Sequence, residues 1–136
     1  MMRTQAFLRQ SVLLLALAMP AAGCAAAAVG AAAGAAGGVY LTTRGAQSLV
    51  DASIDQTAAR TQSVMKDFGI VPDASSSSNA GEKREFKGKK GDLDVTVTLE
   101  SRGASSTHVE ATARKNLAEW DKNFAQDLVT RIVKAS

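Results

Sequence analysis

The sequence predicts an α+β domain of two layers, in which two helices cover one face of an antiparallel sheet of three or four strands. Residues 93–99 and 107–113 alternate strictly between apolar and polar side chains, a pattern typical of strands with one covered and one solvated face. Residues 54–68 and 117–132 repeat apolar side chains every three or four positions, as amphipathic helices do. In chain order these segments and two weaker strands give a β-α-β-β-β-α domain over residues 44–136.

The first helix is predicted to follow a short strand at residues 46–50, to begin after Ser53 and to end at Gly69. Ser53 with Gln56 three residues later forms a capping box, which satisfies backbone N–H groups at a helix start. Gly69 suits the left-handed position after a helix, from which Ile70 can fold back onto Met65.

The segment after this helix is predicted to be irregular. Val71 begins a strand that Pro72 interrupts, and the composition of residues 73–81 is typical of a flexible loop. Phe86 is the one evident core residue of the next segment, and residues 89–92 supply turn chemistry. The two clear strands then follow, joined by a turn over residues 101–105.

The last helix is predicted to start at Asn116, which with Glu119 forms a second capping arrangement. The apolar residues that follow at helical spacing predict the face that covers the sheet; they are Leu117, Trp120, Phe124, Leu128 and Ile132. We interpret Trp120 and Phe124 as core residues rather than as a platform for a ligand.

The first 23 residues predict a secretory signal peptide that is cleaved. Arg3 and Arg9 precede a short apolar run at residues 12–19, which is too short to span a bilayer. Small residues at positions 21–23 then lead to Cys24, the only cysteine of the chain.

Cys24 and the small residues before it resemble the lipobox of bacterial lipoproteins, in which the cysteine is lipidated and becomes the first mature residue. The third position before the cysteine is usually leucine in such sequences, and here it is Ala21. The alternative is an ordinary signal peptide cut near Gly23, with Cys24 left as a free thiol. A lone thiol is chemically awkward in an exported protein, so we expect a lipid thioether at Cys24.

Residues 24–43 form an alanine- and glycine-rich segment between the predicted anchor and the domain. Gly30, Gly34 and Gly38 lie four residues apart, so on a helix they would form a smooth face for close packing of a second helix. Such a glycine zipper predicts a membrane-associated oligomer. The alternative is a low-complexity tether, which the low helix propensity of glycine favours.

The whole pattern resembles a family of small bacterial lipoproteins known only as a domain of unknown function. The resemblance rests on Cys24, the alanine- and glycine-rich stretch, "VDASIDQT" at 50–57, "KDFGI" at 66–70 and the paired strands. It implies a place in the cell envelope, with the membrane as a partner through lipid, and it implies no activity. Ala25 follows the cysteine, and the lack of Asp there favours the outer membrane, facing the periplasm.

Composition argues against several function classes. Without the leader the chain has 14 basic and 13 acidic residues, so its net charge falls from +3 to +1 and nucleic-acid binding is not expected. One cysteine and one histidine cannot assemble a zinc site. His108 on an exposed strand face is interpreted as solvated, and Asp92 with Asp94 as solubilising acids rather than a calcium site. The sequence therefore predicts a protein that is not an enzyme and needs no cofactor or metal.

A basic run at residues 83–90 is the remaining candidate for binding. It contains Lys83, Arg84, Lys87, Lys89 and Lys90, with Glu85 as the only acid. It is either a charged hairpin edge that discourages strand aggregation or a surface for anionic lipid or cell-wall polymer near the anchor. A contact with another envelope protein is the further expectation for this domain.

Overall fold

The computed structural model describes residues 38–135. The elements of that part are β1 (Tyr40–Leu41), β2 (Gly45–Val50), α1 (Ile54–Asp67), β3 (Val71–Ser78), a 3₁₀ turn (Asn79–Gly81), β4 (Lys83–Lys90), β5 (Leu93–Gly103), β6 (Ser106–Arg114) and α2 (Lys122–Lys134). None of these helices is long and apolar enough to cross a membrane.

The six strands form one antiparallel sheet in the order β1-β2-β6-β5-β4-β3. Helix α2 packs on β2 and β6, and α1 packs on α2, β5 and β6, so both helices cover the same face. The predicted α+β class and the placement of both helices on one face are therefore confirmed. The predicted three or four strands are too few, since the sheet has six.

Helix α1 begins and ends where the sequence predicts. The Ser53 side chain accepts a hydrogen bond from the Gln56 backbone N–H at 3.3 Å, which caps the first turn. At the other end Gly69 adopts φ +69°, and the N–H of Ile70 donates to the carbonyl of Met65 at 2.9 Å. This Schellman motif turns the chain back, so Ile70 is buried under the helix.

The central strands β5 and β6 supply the floor of the core. Their inward side chains alternate as predicted and are almost fully buried; they are Val95, Val97, Leu99, Val109, Ala111 and Ala113. From the helix layer, α2 adds Ala125, Leu128, Val129 and Ile132 to the same cluster. Burial of this apolar surface between sheet and helices is the main stabilising contribution to the fold.

The predicted start of the last helix is wrong by five residues, since the cap is Asp121 and not Asn116. Asn116 caps only an isolated turn, because its Oδ1 accepts from the N–H groups of Ala118 and Glu119 at 3.0 Å each. Leu117 is 93% exposed, so it takes no part in the core. The helix begins at Lys122. The Asp121 side chain caps it by accepting a hydrogen bond from the backbone N–H of Phe124 at 2.9 Å. The apolar stripe holds only from Phe124 onward.

The loop predicted for residues 73–81 is wrong over residues 73–78, which belong to β3. This strand pairs with β4 along its length, with a bulge between Pro72 and Ala74. Serine has little preference for strands, but pairing with a neighbour overrides propensity at such positions. Gly88 of β4 permits the pairing, because a Cβ atom there would lie 2.5 Å from Cγ2 of Ile70.

Candidate functional site

Most of the predicted anchor lies outside the described residues. Cys24, Gly30 and Gly34 precede the described part of the chain, which begins at Gly38. Gly38 lies outside any helix, and its carbonyl accepts a hydrogen bond from Ser48 Oγ at 2.9 Å. The start of the folded domain is thus fixed to β2, and the glycine zipper stays a prediction.

The predicted basic run forms β4, and strand alternation divides it between the two faces of the sheet. Phe86 and Gly88 are buried on the helix-covered side, and Arg84 and Lys90 share that side with them. The other three cations, Lys83, Lys87 and Lys89, lie on the uncovered face. The five basic side chains therefore do not form a single patch.

The two cations on the helix side contact the helix layer. The Arg84 guanidinium forms an ion pair with Asp55 in the first turn of α1. Lys90 Nζ lies 5.9 Å and 5.3 Å from the ring centres of Phe68 and Phe124, two rings that pack edge to face. These contacts are cation–π and ion-pair interactions that tie β4 to the helices.

The uncovered face of the sheet carries interleaved charges of both signs. Lys87 pairs with Glu85 at 2.9 Å, and Asp94 lies between Lys89 at 3.8 Å and Arg114 at 3.6 Å. The predicted basic surface is therefore partly neutralised by carboxylates on the same face. We expect such exposed pairs to contribute little to stability and to weaken any purely electrostatic attraction to an anionic polymer.

The acidic, histidine and tryptophan candidates are spread around this face. Asp92 lies in the turn between β4 and β5, whereas Asp94 lies in β5, so the two acids do not share a strand. His108 lies opposite Glu100, on the uncovered face as predicted. Trp120 precedes α2, and the Arg44 guanidinium carbon lies over its ring, 5.6 Å from the ring centre. Within residues 38–135 no three His, Cys, Asp or Glu side chains are close enough together to hold a metal ion.

A cleft lies between the second half of α1 and β3, and we name it the β3 cleft. Its volume is about 740 Å³, and its apolar lining includes the buried side chains of Met65, Ile70 and Phe86. Ser75 of β3 and the exposed Lys66 of α1 lie at its rim. It exists because the sheet extends two strands, β4 and β3, past the strands on which α1 packs.

The β3 cleft is not predicted from the sequence, because the composition of the serine run is typical of a loop and not of a strand. The available signal was the pair of apolar residues on either side of that run. Both Ile70 and Phe86 were predicted to pack, and a hairpin between them was needed to bring them together. No family model and no curated protein matches this chain.

Proposed function

We propose that this protein is a lipid-anchored protein of the bacterial cell envelope, with a non-catalytic binding or structural domain after the alanine- and glycine-rich segment. The observation that carries the proposal is Cys24 directly after a positively charged, apolar and then small-residue leader. The resemblance to small bacterial lipoproteins of unknown function supports the same conclusion. Ala25 in the next position favours the outer membrane, with the domain in the periplasm.

The energetics of lipid attachment support a stable anchor. Each buried methylene contributes about 0.8 kcal/mol, so one acyl chain gives marginal binding and two or three give lasting attachment. The partly neutralised β4 surface cannot replace such an anchor, because each cation near an anionic membrane contributes only about 1 kcal/mol.

The position of Gly38 sets how far the domain can move from such an anchor. The folded part begins there, 14 residues after Cys24. A chain of that length spans at most about 50 Å when fully extended. The proposed anchor therefore keeps the domain close to the membrane surface while leaving it free to meet other envelope components.

The test is mass spectrometry of the N-terminal peptide, together with detergent-phase partitioning of the wild-type and Cys24→Ser proteins. We expect a diacyl or triacyl cysteine as the first residue and loss of detergent-phase partitioning in Cys24→Ser. Ala28→Ser is the matched control, because it makes a small polar change in the same segment and leaves the cysteine in place. An unmodified thiol at Cys24, or retention of residues 1–23, would refute the proposal.

A further inference from the structure

The two edges of the sheet differ in how open they are to another strand. At one edge β1 is only two residues long, which is a common protection against strand addition. At the other edge β3 has eight residues, and no described strand lies on its outer side. Pro72 and the bulge interrupt only its beginning, so Ala74–Ser78 offers an edge without proline or charge. This is a template of backbone donors and acceptors for an extended chain.

The β3 cleft lies beside this open edge, on the helix-covered side. Met65, Ile70 and Phe86 are each at most 9% exposed, so the apolar lining is fixed by the core. A strand added to β3 would direct every second side chain toward the helix layer. Large apolar side chains at alternate positions could therefore enter the cleft while the backbone pairs with the edge, the usual division between affinity and specificity in strand addition.

Two occupants from this chain fit poorly. In a second copy, β3 presents toward the helix side only Pro72, Ser75 and Ser77, whose small side chains would leave the cleft unfilled. Residues 24–37, which remain before Gly38 after the proposed cleavage, consist mainly of alanine and glycine, so they would also leave the cleft unfilled. The cleft therefore calls for an extended segment of another protein.

The charge of the cleft rim defines the partner further. Lys66 contributes one positive charge and Asp73 one negative charge, whereas the Lys87 side chain lies on the uncovered face and pairs with Glu85. These two charges balance, so a partner without a strong net charge beside its apolar residues complements this rim.

We propose that the Ala74–Ser78 edge and the β3 cleft bind an extended peptide segment that carries large apolar side chains at alternate positions and no strong net charge. The choice of an envelope protein as its source rests on the proposed function. The site itself does not involve Cys24. Peptide binding can thus be tested on the Cys24→Ser protein, and its failure is distinct from a failure of lipid attachment.

The test uses the purified full-length Cys24→Ser protein and a phage-displayed library of random ten-residue peptides. We expect enrichment of sequences with large apolar residues at alternate positions, and measure the Kd of a labelled synthetic copy by fluorescence anisotropy. Along β3 the backbone N–H groups point alternately toward β4 and away from the sheet, at the open edge. Of the neighbouring substitutions Ser75→Pro and Ser76→Pro, one therefore removes an N–H at the open edge and the other removes an N–H that faces β4. The outward substitution should weaken binding at least tenfold while circular dichroism stays unchanged.

A charge reversal provides a second readout that does not risk the fold. Lys66→Glu, at an exposed position in the last turn of α1, should weaken binding of a selected peptide that carries an acidic residue about fivefold. Lys134→Glu, at an exposed position in the last turn of α2, is the matched control. Absence of enrichment would overturn the proposal, as would a Kd that neither proline changes. A dimer that either proline dissociates would also overturn it, because the occupant would then be a second copy.

Discussion

Thr107 offers a sharp test of how the sheet is joined to α1. Its side chain is fully buried on β6, and its Oγ1 donates a hydrogen bond of 2.8 Å to the carbonyl of Ala52. Ala52 lies in the short connection between β2 and α1 and is itself buried. The hydroxyl therefore satisfies a carbonyl that has little access to water.

The substitution Thr107→Val keeps the shape of this side chain and removes the donor. An unsatisfied buried carbonyl costs about 1–3 kcal/mol, partly offset by the burial of a methyl group instead of a hydroxyl. We expect a net loss of about 1.5 kcal/mol, which for a domain of this size lowers Tm by about 6–12 °C.

Urea unfolding and thermal melts followed by circular dichroism measure this loss. The matched control is Thr112→Val, which makes the same atomic change on the same strand but on the uncovered face. It should change the free energy of unfolding by less than about 0.5 kcal/mol. If both substitutions had the same effect, the argument that the Thr107 hydrogen bond stabilises the connection would be wrong.

Two further substitutions test backbone and capping features of the fold by the same melts. Gly45→Ala should destabilise by about 3 kcal/mol or more, because its Cβ would clash with the fixed carbonyl oxygen of Ala111. Gly91→Ala, which adds a methyl group to open space at φ +56°, should cost only about 1–2 kcal/mol. Asp121→Ala should cost about 1 kcal/mol through the lost cap of α2, whereas Asn116→Ala should change stability by less than about 0.5 kcal/mol. Equal losses of stability in Asp121→Ala and Asn116→Ala would contradict a helix that begins at Lys122.

The elements that the sequence predicts well are those whose signal is local. The Ser53 cap, the Gly69 turn and the alternation through Val97 and Val109 each depend on neighbours within a few residues. Asn116 shows the limit of this reasoning, because a capping pattern also fits a single turn. The helix begins only after Asp121 because the residues before it are held against the end of β6, where the Asp121 N–H donates to the carbonyl of Ala113 at 2.7 Å.

The site residues were predictable only in part. Strand alternation predicts that Lys87 and Lys90 point to opposite faces, once residues 83–90 are recognised as a strand. The serine-rich β3 has no such signal, because its conformation comes from pairing with β4 and from the space that Gly88 leaves for Ile70. The β3 cleft depends on that strand, so it could not be predicted from the sequence.

The pairing of β2 with β6 governs when this domain can complete its fold. Gly45 lies opposite Thr112, 67 residues later, whereas β3 to β6 are joined by short turns. Hairpins form within microseconds, but closing so long a loop is entropically costly and slow. A chain that is threaded through a membrane from its N-terminus, as the proposed export requires, delivers β2 first and its partner last. In such a chain β2 would have no β6 to pair with until the last strand emerges, so the sheet could close only when translocation is nearly finished.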